Sequence, residues 1–127
     1  MNQEDPFDEA VTRCCEIDDR YDPEAYYFLR EGLDRAMAAV TPPGHPPRHV
    51  TGQQLCAVLR DYALSEFGPL AGLVLNEWNI HSTDDFGNLV YNLIDVGIFS
   101  KSPTDDRESF HDVYNFEETF EKPYLPL

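Results

Sequence analysis

Between Thr51 and Phe116 the apolar residues recur at helical spacing in three successive runs, and each run closes on a turn signal. No other feature of the chain constrains its fold as much. Thr51 and Gln54 have the spacing of a capping box, in which hydroxyl and amide satisfy each other's orphan N–H groups, and Val50 with Leu55 has that of a hydrophobic staple. A helix is therefore predicted from here, with Leu55, Val58, Leu59, Tyr62 and Ala63 on its buried stripe and Gly68-Pro69 as its stop. A shorter helix from Pro69 to about Asn79 follows, expected to bury Leu70, Ala71, Val74, Leu75 and Trp78. After a tight turn over 79–82, Ser82 or Thr83 caps a third helix of the stretch. Its first turn holds Asp84 and Asp85, where the dipole favours acid, and its stripe runs from Phe86 through Leu89, Val90 and Leu93 to Ile94 before Gly97.

Beyond Gly97 the pattern changes. Residues 98–101 have strand character, 102–106 read as a polar turn, and Phe110, Tyr114 and Phe116 recur with period two, so a C-terminal β-hairpin is expected. The second limb is ambiguous, because Phe110, Val113 and Tyr114 also fit a helix and Glu117 to Phe120 fits a final turn. Residues 121–127 read as a loosely ordered tail.

Two more helices precede the stretch. Phe7, Ala10, Val11, Cys14 and Ile17 share one helical face over residues 6–18, and Asp22-Pro23 is a cap followed by a first-turn proline. The second helix reaches about Ala39 on a stripe of Tyr26, Leu29, Leu33, Ala36, Met37 and Val40. Gly32 inside it implies either tolerance or close helix packing. The run TPPGHPPR over 41–48 cannot continue a helix and reads as a stiff connector. The forty residues before it are too few for an independent core, so 1–127 is taken as one domain: N-terminal helices over 1–40, connector over 41–48, core over 49–120 and tail over 121–127. The fold class predicted is mainly α (α+β), with an N-terminal helical pair on a winged-helix-like three-helix core that carries the hairpin.

In a winged-helix domain the third helix of the core would face a DNA major groove. Here it carries Asp84, Asp85 and Asp95 and no Lys or Arg, while the hairpin sets Asp105, Asp106 and Glu108 against Lys101 and Arg107. The whole chain has 9 basic against 24 acidic residues and a formal charge of -15, so its long-range field repels phosphate. Nucleic acid and anionic membrane are disfavoured. A basic protein partner or self-association remains open.

The segments YDPEAYYFLREGLD at 21–34, HVTGQQL at 49–55, FGPLAGLVLNEWNI at 67–80, STDDFGNLVYNLIDVGIFSK at 82–101 and FHDVYNFEETF at 110–120 carry a family resemblance. Together they resemble a small uncharacterised protein family found mainly in planctomycetes and verrucomicrobia, over nearly the whole span from Tyr21 to Phe120. The resemblance implies a bacterial cytoplasmic protein. It brings no activity, cofactor or catalytic residue to carry over. The DFG at 85–87 lacks every other element of a kinase and is not read as one.

Chemistry-bearing residues are sparse. Cys14, Cys15 and Cys56 are odd in number and read as reduced thiols of a cytoplasmic protein. MNQEDPFDEA has neither the basic nor the apolar region of a leader, and no run is long enough to span a membrane. His45, His49, His81 and His111 form no zinc pattern with the cysteines. The acidic groups around Asp18, Asp19 and Asp22 and around 104–108 lack the alternating ligand pattern of a calcium loop, and so read as solvated loops. No cofactor or metal is expected. Tyr26, Tyr27 and Phe28 in succession cannot all face one side of a helix, so at least one aromatic should reach the surface or the contact with the main body, and aromatics are enriched in protein interfaces. Tyr26, Tyr27, Asp84, Asp85, Asp105 and Asp106 are the candidate interaction surface of a non-enzymatic module that binds another protein. The alternative is a small metal-dependent or thiol enzyme.

Overall fold

A computed structural model of the protein describes residues 5–100 and 106–124. Five helices carry the chain: α1 (Pro6–Ile17), α2 (Pro23–Val40), α3 (Gly52–Phe67), α4 (Ala71–Glu77) and α5 (Thr83–Asp95). Their starts follow the local chemistry. The side chains of Asp5 and Asp22 accept from the backbone N–H of Phe7 and Glu24, each before a proline that needs no partner at N1. The Thr51 hydroxyl accepts from Gln54 N–H at 3.1 Å while the Gln54 amide oxygen accepts from Thr51 N–H at 2.9 Å.

The first two helices share one hydrophobic cluster with the rest of the chain. α2 lies along α3, and it approaches closely at Gly32, where a β-carbon would stand 2.2 Å from Leu59 Cδ2. Close packing, not tolerance, explains that glycine. The connector folds back on itself: Thr41 N–H bonds the last turn of α2 through Met37 O, and its hydroxyl accepts from Arg48 N–H at 3.0 Å.

α5 is the central helix, packed against α1, α2, α3 and a short 3₁₀ turn at Arg107–Phe110. Of its thirteen residues only Asp84 and Asp95 are exposed. The helix expected at a groove-facing position is therefore enclosed on nearly all sides.

The β-hairpin is not formed: among the described residues there is no strand. Two local reasons account for it. Gly97, at φ 86°, ends α5, and the N–H groups of Ile98 and Phe99 both donate to Leu93 O at 3.1 and 3.2 Å. Donors that the first limb would have offered to a partner strand are consumed as a helix cap. On the other limb, Asp112 occupies the middle of the 110–116 alternation at φ 49°, a left-handed conformation that an extended strand does not contain. Lys101 and the expected turn over 102–105 lie outside the described residues.

In place of the second limb, three short helical turns follow one another: Arg107–Phe110, a π-type turn at Glu117–Glu121, and Lys122–Tyr124. Asp106 caps the first by accepting from Ser109 N–H at 3.0 Å, and Asn115 caps the second by accepting from Glu118 N–H at 3.0 Å. Phe110 packs against Gly87 of α5, where a β-carbon would come within 3.0 Å of the ring's own Cβ. Phe116 and Phe120 meet edge to face at 5.0 Å, and Phe116 also reaches Phe86 of α5 at 5.7 Å. The period-two aromatics are thus core residues of a helical wrap around α5. No helix among the described residues is long and apolar enough to cross a membrane.

Candidate functional site

The residues expected to form an interaction surface do not share a face. Tyr26 is fully buried, and its hydroxyl accepts from Asn92 Nδ2 at 3.0 Å. As the register of α2 turns, Tyr26 and Phe28 go inward and Tyr27 is the half-buried one, packed edge-on against Phe7 at 5.4 Å with its hydroxyl donating to Asp8. Asp85 is committed to structure. One carboxylate oxygen accepts from the backbone N–H of His81 at 2.8 Å and of Ser82 at 3.2 Å, and the other takes the Tyr21 hydroxyl. Asp106 is a cap, as above, and Asp105 lies outside the described residues. Asp84 offers its carboxylate to solvent, paired with His111 Nδ1 at 3.2 Å.

The Asp84–His111 pair is exposed, and the neighbouring carboxylate raises His111 above its usual value of 6.5. A raised folded value means that the pair's contribution is complete below the unfolded pKa and fades as pH rises through the folded one. Titration of the His111 ring by NMR should give a midpoint above about 6.5, and Asp84→Asn should return it to that value. An unshifted wild-type midpoint would show that the pair does not form in solution.

The thiols are poorly suited to nucleophilic work. Burial pushes Cys14 up to about 11 and Cys56 up to about 12, and it raises Cys15 as well. All three therefore stay protonated near neutral pH, whereas a thiol nucleophile must be ionised. Among the described residues no group of three His, Cys, Asp or Glu side chains converges as a metal site would require.

A different face stands out where α3 meets α4. Phe28, Tyr62, Phe67 and Trp78 form a continuous aromatic cluster, with Phe28 stacked on Tyr62 at 5.0 Å and Phe67 edge-on to Trp78 at 5.8 Å. Tyr62, Phe67 and Trp78 are only partly covered. Between Phe67 and Trp78 in the chain, Leu70 and Leu73 are each 59% exposed, although both belong to an apolar run. Leu70 was expected on the buried side of this segment and is not. The 3₁₀ turn at Gly68–Leu70 sets the register of α4 so that Ala71 and Leu75 go inward. Leu70, Leu73 and Glu77 then follow at helical spacing on the outer side, and Glu66 and Glu77 are both exposed. The signal was available in the sequence: Ala71 and Leu75 four apart define the inner stripe, which leaves the two leucines off it.

Two hollows complete the surface. A cleft of about 430 Å³ lies between α2, α5 and the connector, walled by Leu33, Met37, Val90, Ile94, Ile98 and Phe99. A polar hollow of about 320 Å³ surrounds the Asp84–His111 pair.

Among the described residues, fold and surface together define a small acidic helical protein with exposed leucines and partly covered aromatic rings at α4 and the end of α3, and with an apolar cleft. Comparison with family models, curated proteins and solved structures found no match.

Proposed function

We propose that this protein is a non-enzymatic interaction module that docks a basic protein partner on the face formed by α4 and the end of α3. The observation that carries this reading is the exposure of Leu70 and Leu73, 59% each, beside the partly covered Phe67 and Trp78. Isolated exposed leucines are ordinary, but two on the outer side of one short segment, flanked in the chain by partly covered aromatic rings, favour a contact surface. Exposed Glu66 and Glu77 on the same segment, and a chain charge of -15, favour a partner with basic residues around an apolar anchor. The raised pKa values of all three thiols, two of them buried, speak against the alternative of a thiol enzyme.

Affinity-tagged protein should retain specific proteins from cell lysate at about 50 mM salt and less of them at about 500 mM, because the rim charges are screened. Leu73→Glu sets a charge in the middle of the patch at an exposed position, so folding is expected to be unaffected. Retention should fall about tenfold or more, as for loss of a central apolar anchor. If wild type retains nothing, or Leu73→Glu retains the same proteins in the same amounts, the reading is wrong.

A further inference from the structure

The cleft between α2, α5 and the connector interrupts an otherwise acidic surface. Among the described residues that line it, Asp34 is the single carboxylate, and Arg48 and His49 line it as well. Arg48 is unusual within this chain. The other six arginines each have a side-chain partner: Arg13 on Val96 O, Arg20 on Asp18, Arg30 on Asp5, Arg35 on Glu31, Arg60 on Asp61, and Arg107 on Asn88. Among the described residues the guanidinium of Arg48 has no acceptor. Its backbone N–H is nonetheless held by the Thr41 hydroxyl at 3.0 Å, which fixes the residue at the cleft mouth through a proline-rich loop. Below it the walls are aliphatic and aromatic. The volume of about 430 Å³ falls within the range of about 300–1,000 Å³ usual for small-molecule pockets, which pair an apolar lining with a few polar groups that fix orientation.

We propose that this cleft binds a small apolar carboxylate, with the hydrocarbon body between α2 and α5 and the carboxylate on the Arg48 guanidinium. A planar guanidinium matches a carboxylate with two parallel N–H donors, and such charge-assisted bonds are about twice as strong as neutral ones. A carboxylate turned toward Arg48 supplies the acceptor that its guanidinium lacks among the described residues, and the body below it removes Leu33, Met37 and Ile94 from water. The site is separate from the face at α4, and neither depends on the other.

Octanoate and its neutral analogue 1-octanol are suitable probes, followed by NMR shifts of the protein's methyl and amide groups. Octanoate should shift Val90 and Ile94 saturably. Arg48→Gln, at an exposed position, should weaken octanoate about tenfold, the loss expected for a charge-assisted pair, and leave octanol unchanged. Met37→Glu should abolish the shifts from both probes while thermal melting stays cooperative. The proposal is overturned if octanoate gives no saturable shift, if the shifts fall on Leu70 and Leu73 instead, or if Arg48→Gln binds octanoate as wild type does.

Discussion

Phe120→Ala should destabilise the protein by about 3–5 kcal/mol, the usual cost of emptying a buried phenylalanine site. Phe120 is 1% exposed, and it packs edge to face against Phe116 at 5.0 Å and against Tyr114 at 6.1 Å. Tyr114 in turn donates its hydroxyl to Cys56 O at 2.8 Å, so the ring supports the contact between the C-terminal wrap and α3. Urea melts followed by circular dichroism would measure the loss. A change under about 1 kcal/mol would mean that residues 117–124 are dispensable, as a loosely ordered tail would be.

That substitution also marks where the sequence was readable and where it was not. Helix starts were legible because each depends on a few adjacent residues: Asp5, Asp22 and Thr51 with Gln54 act within their own turns. Glycine positions carried part of the tertiary information, since Gly32 pointed to the approach of α2 to α3. The segment after Gly97 was misread because its pattern is ambiguous in isolation. Phe110, Tyr114 and Phe116 are spaced for either state, and what decides between them is nonlocal or conformational. Ile98 and Phe99 spend their N–H groups on Leu93 O, Asp112 adopts a positive φ, and Val113 N–H finds the Thr83 hydroxyl at 3.1 Å thirty residues away.

The candidate surface was less legible still. Counting aromatics at 26–28 correctly required one of them to lie nearer the surface, but Tyr27 is the half-buried one and Tyr26 is enclosed. Acidic residues at helix starts are ambiguous in the same way, because a carboxylate that caps and one that meets a partner look identical in sequence. Asp85 caps and accepts from Tyr21, while Asp84 next to it faces solvent and His111. The face at α4 was missed because Leu70 was placed on the buried stripe with Ala71 and Leu75, although Leu73 was left off it.

Asn92→Leu is expected to cost about 2–3 kcal/mol at neutral pH, because it removes the donor shared by two enclosed oxygens. Asn92 is 8% exposed, and its Nδ2 donates to Asp18 Oδ2 at 2.9 Å and to the hydroxyl of the fully buried Tyr26 at 3.0 Å. Asp18 also accepts from Arg20 Nε at 2.9 Å and Nη2 at 2.8 Å, and these bonds, together with that from Asn92, hold its carboxyl well below the usual carboxylate range. The pH dependence follows from that direction. A folded value depressed below the unfolded value of about 3.9 means that the ionised Asp18 stabilises the fold fully above pH 4 or so, and that this contribution is lost as pH falls through the folded value. Leucine at 92 raises the folded value toward the ordinary one by removing one donor, with Arg20 still in place. The stability gap between wild type and Asn92→Leu should therefore hold from pH 7 down through the usual carboxylate range and narrow only below it, as pH falls through the folded values. Urea melts at several pH values would read it directly. A gap that stays constant even below the usual carboxylate range would assign the whole effect to Tyr26 and packing, and would remove Asp18 from the network that ties the α1–α2 turn to the central helix.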